Sequence, residues 1–367
     1  MADVPISLPR IRIHLTNVTG AGAGAAQLLL SLLPALTRSQ RCIISKIYLP
    51  SVGPLSSFVP SCSSTQIEVY RRWLPNMLSR FLECTFFSHR FNGDTPLLVL
   101  GDLPFRCKSN QIVFVHTPHL LNSVKFKLGR ISLKYVFFRI IFRLNHKYTK
   151  NVIVQTDYMK DALTASYPGL SKKIHVVPQP APQWLLSSEF NCTKTFNSHD
   201  GLKLFYPAAF YPHKNHSILA ALSRCSDGSS WPVQSLFLTI DRCFNPAPSV
   251  SWIKCVGFLS PEKMIQTYAI SDALLFLSID ESYGLPLIEA MRLGLPIVCP
   301  DLPYARILCA DQAIFFNPSN ILSLESSIKL LNDRLASGWR PDWSAQLKVL
   351  PKSWDDVADA MIRAVLN

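Results

Sequence analysis

The stretch DALLFLSIDESYGLPLIEAMRLGLPIVCPD, Asp272 to Asp301, reads as a strand, a loop, a helix and a second strand. Its strands are apolar on both faces, as parallel strands covered by helices must be. Pro286 suits a first helical turn because it has no amide hydrogen to leave unpaired, and Gly284 before it lets a ligand approach the backbone. Free amides and the helix dipole at that end favour a diphosphate. Glu281 falls in the loop and Glu289 about one turn into the helix. Carboxylates repel a phosphate but accept paired hydrogen bonds from a vicinal diol, so this spacing points to a ligand that joins a diphosphate to sugars.

Outward from this stretch the same alternation continues. Strands are expected at Arg10 to Leu15, Arg41 to Leu49, Thr95 to Gly101, Asn110 to His116, Asn151 to Gln155 and Lys173 to Val177. They recur at Leu202 to Tyr206, Ser235 to Ile240, Ile253 to Phe258, Ala273 to Ile279, Pro296 to Cys299 and Ala313 to Phe316. The class is α/β. A chain of 367 residues exceeds one compact core, and the polar, proline-bearing run Pro178 to Gly201 reads as a linker. The expected organisation is therefore two doubly wound, Rossmann-like domains facing a central cleft, residues 1–180 and 181–352, with a terminal helix at 353–367 packed back on the first. Ligands in such sheets sit at the carboxyl ends of strands.

In LKLFYPAAFYPHKNHSILAAL, Leu202 to Leu222, a strand turns into a helix with Lys214 near its start, placed to be a fixed cation for a departing diphosphate. An exposed lysine at a helix start is otherwise simply solvated. HLTNVTGAGAGAAQLLLSLL carries Gly20, Gly22 and Gly24 from a strand into a helix. A dinucleotide reading of that loop is discounted, because the acidic residue that should follow by about twenty positions is missing. A tight turn with packing glycines is the plain structural reading of that loop. In QIVFVHTPHLL, His116 and His119 suggest a metal, yet no carboxylate or cysteine lies nearby in sequence to complete a set.

The string E-S-Y-G-L-P-L-I-E-A-M-x-x-G-x-P resembles the family-4 retaining glycosyltransferases, and the likeness extends over most of Arg10 to Asn320, weakest from Pro50 to Asn92. It implies a GT-B fold and transfer of a hexose from a nucleotide-sugar with retention of configuration. Glu281 then contacts the donor hexose and Glu289 the ribose, with Ser282, Tyr283, Gly284, Leu285 and His213 around the donor. The same resemblance sets the nucleobase near Gly257 and Phe258, His116 facing the donor sugar, and the loop of Gly20, Gly22 and Gly24 where it admits the acceptor and the donor phosphates. P-H-K-N stands at the family's basic signature, although the arginine many members carry six positions before the lysine is here Ala208. No cofactor or metal is implied: Lys214 and helix amides replace the metal. A general likeness to bacterial mannosyl and rhamnosyl transferases of surface polysaccharide pathways favours GDP-mannose, then UDP-hexoses. Rivals are a nucleotide-sugar epimerase on the same fold, an inactive membrane-associated scaffold and, third, a dehydrogenase.

Charge narrows the partners. The net charge is +13, and between Asp102 and Asp157 no acidic residue interrupts ten Lys or Arg. The segment 123–150 interleaves Lys125, Lys127, Arg130, Lys134, Arg139, Arg143, Lys147 and Lys150 with Phe126, Phe137, Phe138 and Phe142. A helix on an anionic membrane surface is one reading, at about 1 kcal/mol per basic group, and a solvated face over a core stripe is the other. Nothing resembles a nucleic-acid-binding motif. Ten cysteines, none within five positions of another, form no zinc or redox pattern. With no signal-peptide pattern at the start, the expectation is a cytoplasmic protein peripheral on the inner membrane face, acting on a lipid-linked saccharide.

Overall fold

In the computed structural model, residues 8–15, 24–71, 76–121, 130–188, 201–225 and 231–367 are described. The chain divides into two compact units, Met1–Gln179 with Pro351–Asn367, and Pro180–Leu350.

The first unit contains β1 (Arg10–His14), α1 (Gly24–Arg38), β2 (Ile43–Pro50), β3 (Gln66–Tyr70), α2 (Asn76–Thr85), β4 (Leu97–Val99), β5 (Gln111–Phe114), α3 (Arg130–Asn145), β6 (Thr149–Val154), α4 (Asp157–Ser166) and β7 (Ile174–Val176). Its seven strands are all parallel, in the order β3-β2-β1-β4-β5-β6-β7. The central strands are buried on both faces: Leu97, Leu98, Val99, Ile112, Val113 and Phe114 have no exposure. That is why they read as uninterrupted apolar runs. β3 was not expected. It is an edge strand of mixed character, with Ile67 and Val69 both exposed, and lacks the two-sided apolar signature.

The second unit contains α5 (Gln183–Leu186), β8 (Leu202–Tyr206), α6 (Ile218–Cys225), β9 (Val233–Leu238), β10 (Ile253–Cys255), α7 (Pro261–Ile270), β11 (Ala273–Leu275), α8 (Leu285–Arg292), β12 (Ile297–Pro300), α9 (Pro303–Cys309), β13 (Ile314–Phe316), α10 (Ile321–Ala336) and α11 (Ser344–Lys348). Six parallel strands run β10-β9-β8-β11-β12-β13. Strand order reverses between β1 and β4 in one sheet and between β8 and β11 in the other. Loops diverge at such a switch point and leave room above the strand ends.

The last helix, α12 (Trp354–Leu366), belongs to the first unit. Ser353 and Asp356 form a capping box at its start, and Trp354, Val357, Met361, Ile362 and Val365 are buried. Arg38 pairs with Asp355 at 2.9 Å and Arg41 with Asp359 at 2.5 Å, joining the end of α1 and the start of β2 to α12. Among the described residues, no helix is long and apolar enough to cross a membrane.

Candidate active site

At the β8/β11 switch point two loops are stitched together. The His213 carbonyl accepts from the Ile279 amide at 2.8 Å and from Ser278 Oγ at 3.1 Å. Tyr206 donates its hydroxyl to the Lys214 carbonyl at 2.7 Å, and Tyr304 donates to the Ser278 carbonyl at 2.5 Å. Asn215 takes a left-handed conformation, φ 54, which closes the short turn Pro212–Lys214 and leads into α6. Asparagine tolerates that region because its short polar side chain can bond locally.

The stitching brings Lys214 onto Glu281, Nζ in ion-pair contact with Oε1. Both side chains are mostly covered, at 17% and 12% exposure, so solvent screens the pair weakly. Two residues 67 positions apart are thereby joined. Burial pushes the Tyr206 and Tyr304 phenols well above their ordinary range, and the Glu281 charge adds to both shifts. They remain hydrogen-bond donors. His216 is buried among Tyr206 and Phe210, with ring centroids 5.1 and 5.7 Å away. Burial and then the Lys214 charge push it down to about 4.

Glu289 lies on α8 and is buried. Its Oε2 accepts from the Tyr268 hydroxyl at 2.7 Å, reaching across to α7. Burial pushes its carboxyl up to about 7 against the opposing effect of that hydrogen bond. Gly284 caps α8 at φ 85, a left-handed conformation that favours glycine, and a Cβ there would also come within 3.1 Å of Leu287 Cδ1. Pro286 occupies the first turn of α8, while Ser282, Tyr283 and Leu285 are buried. Gly257, at φ 71, follows β10 and donates to the Ile240 carbonyl at 3.1 Å, and Phe258 is exposed. On the neighbouring loops Phe210 and Phe244 stack at 4.6 Å, interplanar angle 13°. His213 lies flat against Tyr211.

In the first unit His116 follows β5, and Asp102 follows β4. Asp102 Oδ1 accepts the His116 amide at 2.8 Å, and its Oδ2 lies 3.4 Å from His116 Nε2. Asp102 itself is left-handed, φ 64. The His119 ring packs on Tyr135 at 3.9 Å, and its carbonyl accepts from Arg139 Nε at 3.0 Å. Gly20 and Gly22 lie outside the described residues, and Gly24 opens α1. A buried trio missed in the sequence stands at the end of β1, where Glu83 binds His14 at 3.2 Å and Arg80 at 2.8 Å.

Ala208, where the resembled family often has arginine, is buried behind the loop. Tyr268, Tyr304 and Asp102 carry no local motif. Only the tertiary contacts pick them out.

Residues 252–337 match the family model described as Glycosyl transferases group 1. An O-antigen chain mannosyltransferase RfbU of Salmonella typhimurium is 26% identical over 204 residues, 53% of this chain and 54% of the relative. An O-antigen chain mannosyltransferase B of Escherichia coli is 26% identical over 115 residues, 31% and 30% of the two chains. The match therefore spans about half the length of the first relative and less of the second. Among solved structures, WaaG, a glycosyltransferase involved in lipopolysaccharide biosynthesis, superposes with TM-score 0.64 at 14% identity, covering 95% and 98% of the two chains. Anabaena Alr3699/HepE in complex with UDP and glucose gives 0.65 at 14% identity, covering 97% and 99%. The structural likenesses extend over both units, so the chain has the GT-B fold of two Rossmann-like units, with the match to the glycosyl transferases group 1 model confined to residues 252–337 of the second.

Proposed function

We propose that this chain is a retaining, family-4 type glycosyltransferase that moves a hexose from a nucleotide-sugar to a saccharide or lipid-linked acceptor in surface polysaccharide synthesis. The observation that carries the reading is the Lys214–Glu281 pair beside Gly284 and the start of α8 at the β8/β11 switch point. The names of the mannosyltransferase relatives support GDP-mannose as donor before a UDP-hexose.

In this reading the donor diphosphate lies against the amides that follow Gly284 and competes with Glu281 for Lys214. Glu281, released, accepts hydrogen bonds from the hexose hydroxyls, and Glu289 accepts from the ribose. Gly257 and Phe258 border the nucleobase, with Ser282, Tyr283, Leu285 and His213 shaping the donor pocket. His116, oriented by Asp102, acts on the donor sugar. The bond from the anomeric carbon to the diphosphate breaks as the acceptor oxygen bonds to the same face, and the acceptor proton passes to the leaving phosphate oxygen. Lys214 balances the charge that develops there. The reading includes no metal, and turnover in excess EDTA tests that clause.

The reading also places the protein peripherally on the inner face of the cytoplasmic membrane. Of the segment 123–150, residues 123–129 lie outside the described residues. Within α3 the aromatic residues are not the ones that face outward: Phe142 is buried, and Phe137 and Phe138 pack against the core. Leu133, Val136, Ile140 and Leu144 are exposed instead, at spacings of three, four and four, which is one face of a helix. Lys134 and Arg143 are exposed on the same helix. An outward apolar stripe with basic neighbours favours a membrane surface over a merely solvated face.

The deciding experiment incubates the protein with a panel of nucleotide-sugars, with and without lipid-linked saccharide, and reads nucleotide release and product mass. Release that requires acceptor, with a product heavier by one hexose, is expected. Release or sugar isomerisation without acceptor establishes the epimerase rival, and no binding of any nucleotide-sugar leaves the scaffold rival.

A further inference from the structure

A second basic feature lies at the far end of α3. The Cys84 carbonyl, in the last turn of α2, accepts from the Arg106 amide at 2.8 Å and from Asn145 Nδ2 at 3.0 Å. Asn145 is buried and also donates to the Pro104 carbonyl at 3.0 Å. Ser88 Oγ donates to the Arg106 carbonyl at 2.6 Å, and Gln111 Nε2 to the Tyr148 carbonyl at 3.2 Å. Buried polar groups therefore tie three chain segments together and leave an open pocket lined by Thr85, Arg106, Leu144, Asn145, Lys147 and Tyr148.

The pocket has the chemistry of a phosphate site. Arg106 donates Nε to the Tyr148 hydroxyl at 3.1 Å, which fixes the plane of the guanidinium, and Lys147 lies over the Tyr148 ring, 5.3 Å from its centroid. No carboxylate lines it among the described residues. Its surroundings are apolar and outward. Phe86 is 67% exposed and Phe87 45%, directly after Thr85, and Leu144 and Ile140 continue the outer stripe of α3 at 53% and 49%. A soluble anion needs no such rim. A lipid does, because its phosphate and its chains must be met together.

We propose that this pocket binds the phosphate of an anionic phospholipid head group, with Arg106 and Lys147 as ligands and Phe86, Phe87, Ile140 and Leu144 entering the acyl boundary around it. The proposal rests on the peripheral-membrane reading above and adds a defined site to it. A flat basic surface attracts anionic lipid by charge alone, whereas a pocket also requires the planar fork of arginine, which lysine cannot reproduce.

The test uses the full chain and vesicles of phosphatidylcholine, alone or with phosphatidylglycerol, followed by sedimentation. Arg106→Lys keeps the net charge, so diffuse attraction leaves binding unchanged, while the pocket predicts a loss of about tenfold. Lys134→Gln with Arg143→Gln removes two charges from α3 outside the pocket, and Arg106→Gln with Lys147→Gln removes two inside it. The inner pair is expected to weaken binding about tenfold more than the outer pair. Equal losses, or an unchanged Arg106→Lys, overturn the pocket and leave the membrane reading standing. If wild-type protein ignores phosphatidylglycerol vesicles at low salt, the membrane reading itself has failed. Millimolar inorganic phosphate that displaces the protein from vesicles as well as added lipid does would reassign the pocket to a free anion. Lys147→Gln alone serves if either double variant does not fold.

Discussion

The carboxyl ends of the strands in Pro180–Leu350 and the α2–α3 face of the other unit are both rich in ionisable and aromatic residues, but they are built on opposite plans. In the first, charges are covered and answered: Lys214 by Glu281, Glu289 by Tyr268, the Ser278 carbonyl by Tyr304. In the second, Leu133, Val136, Ile140, Leu144, Phe86 and Phe87 stay exposed, and the basic groups beside them face solvent. Covered pairs make a preorganised pocket for one ligand. Exposed apolar residues ringed by cations make a surface that fits an extended anionic phase. Under the proposed function, the covered region would serve donor chemistry and the exposed one acceptor delivery.

The sharpest way to break this contrast is Lys214→Ala. If Lys214 balances the departing diphosphate, turnover should fall roughly 100- to 1,000-fold, the range for losing one preorganised charge-stabilising group. Single-turnover rates with saturating donor are the measurement, alongside a melting curve to confirm the fold. A loss below about fivefold would show that the pair with Glu281 is only structural.

Glu289 gives the next largest effect, and its sign is fixed by burial. Its carboxyl is raised from the ordinary value of 4.5 to about 7, so the fold favours the protonated form. Stability is fully present below pH 4.5 and is lost as pH rises toward 7, by roughly 3 kcal/mol at most. Glu289→Gln keeps an acceptor for Tyr268 without the charge. It should match wild type near pH 5 and exceed it by up to about 3 kcal/mol at pH 8, in denaturant titrations at both values. The same gap at both pH values would mean that the charge plays no part. Because ribose is to be held by the ionised carboxylate, nucleotide affinity should rise across the same interval.

The contrast also governs what could be read from the amino-acid order. Glu281, Gly284, Pro286 and Glu289 sit within one short segment, where backbone conformation and helix geometry fix their relations, so the segment announces the fold and marks out the candidate site. Lys214 is legible as a residue at the strand-to-helix turn, but its contact with Glu281 joins two distant loops and is a fact of the β8/β11 reversal. Tyr268 is one tyrosine in an ordinary helix until α7 meets α8. Along α3 apolar residues occur on every side, so periodicity cannot say which of them turn inward. The interleaved phenylalanines fit either a membrane face or a core stripe, and it is the core under α3 that they fill, while Leu133, Val136, Ile140 and Leu144 face out. His116 and His119 look like a pair in sequence, but the Asp102 carboxylate that meets His116 and the Tyr135 ring that packs on His119 come from elements no local pattern links to them.

The smallest expected effect tests the outer plan most cleanly. Ile140 and Leu144 are about half exposed, at 49% and 53%, so replacing both with serine forfeits little burial and should change stability by less than about 0.5 kcal/mol per site. Phe142, two positions from both Ile140 and Leu144 but fully inward at 1% exposure, should cost about 3–5 kcal/mol as Phe142→Ala. A stripe that exists for solvent contact alone would leave vesicle binding as unchanged as the melting temperature. A stripe that enters the acyl boundary has lost apolar area it buries only there, about 0.8 kcal/mol for each methylene-sized group. Ile140→Ser with Leu144→Ser should therefore release the protein from phosphatidylglycerol vesicles while its melting curve and its turnover on a water-soluble acceptor stay as they were. Retention on the vesicles would assign these residues to the solvated face and leave basic charge alone to hold the membrane.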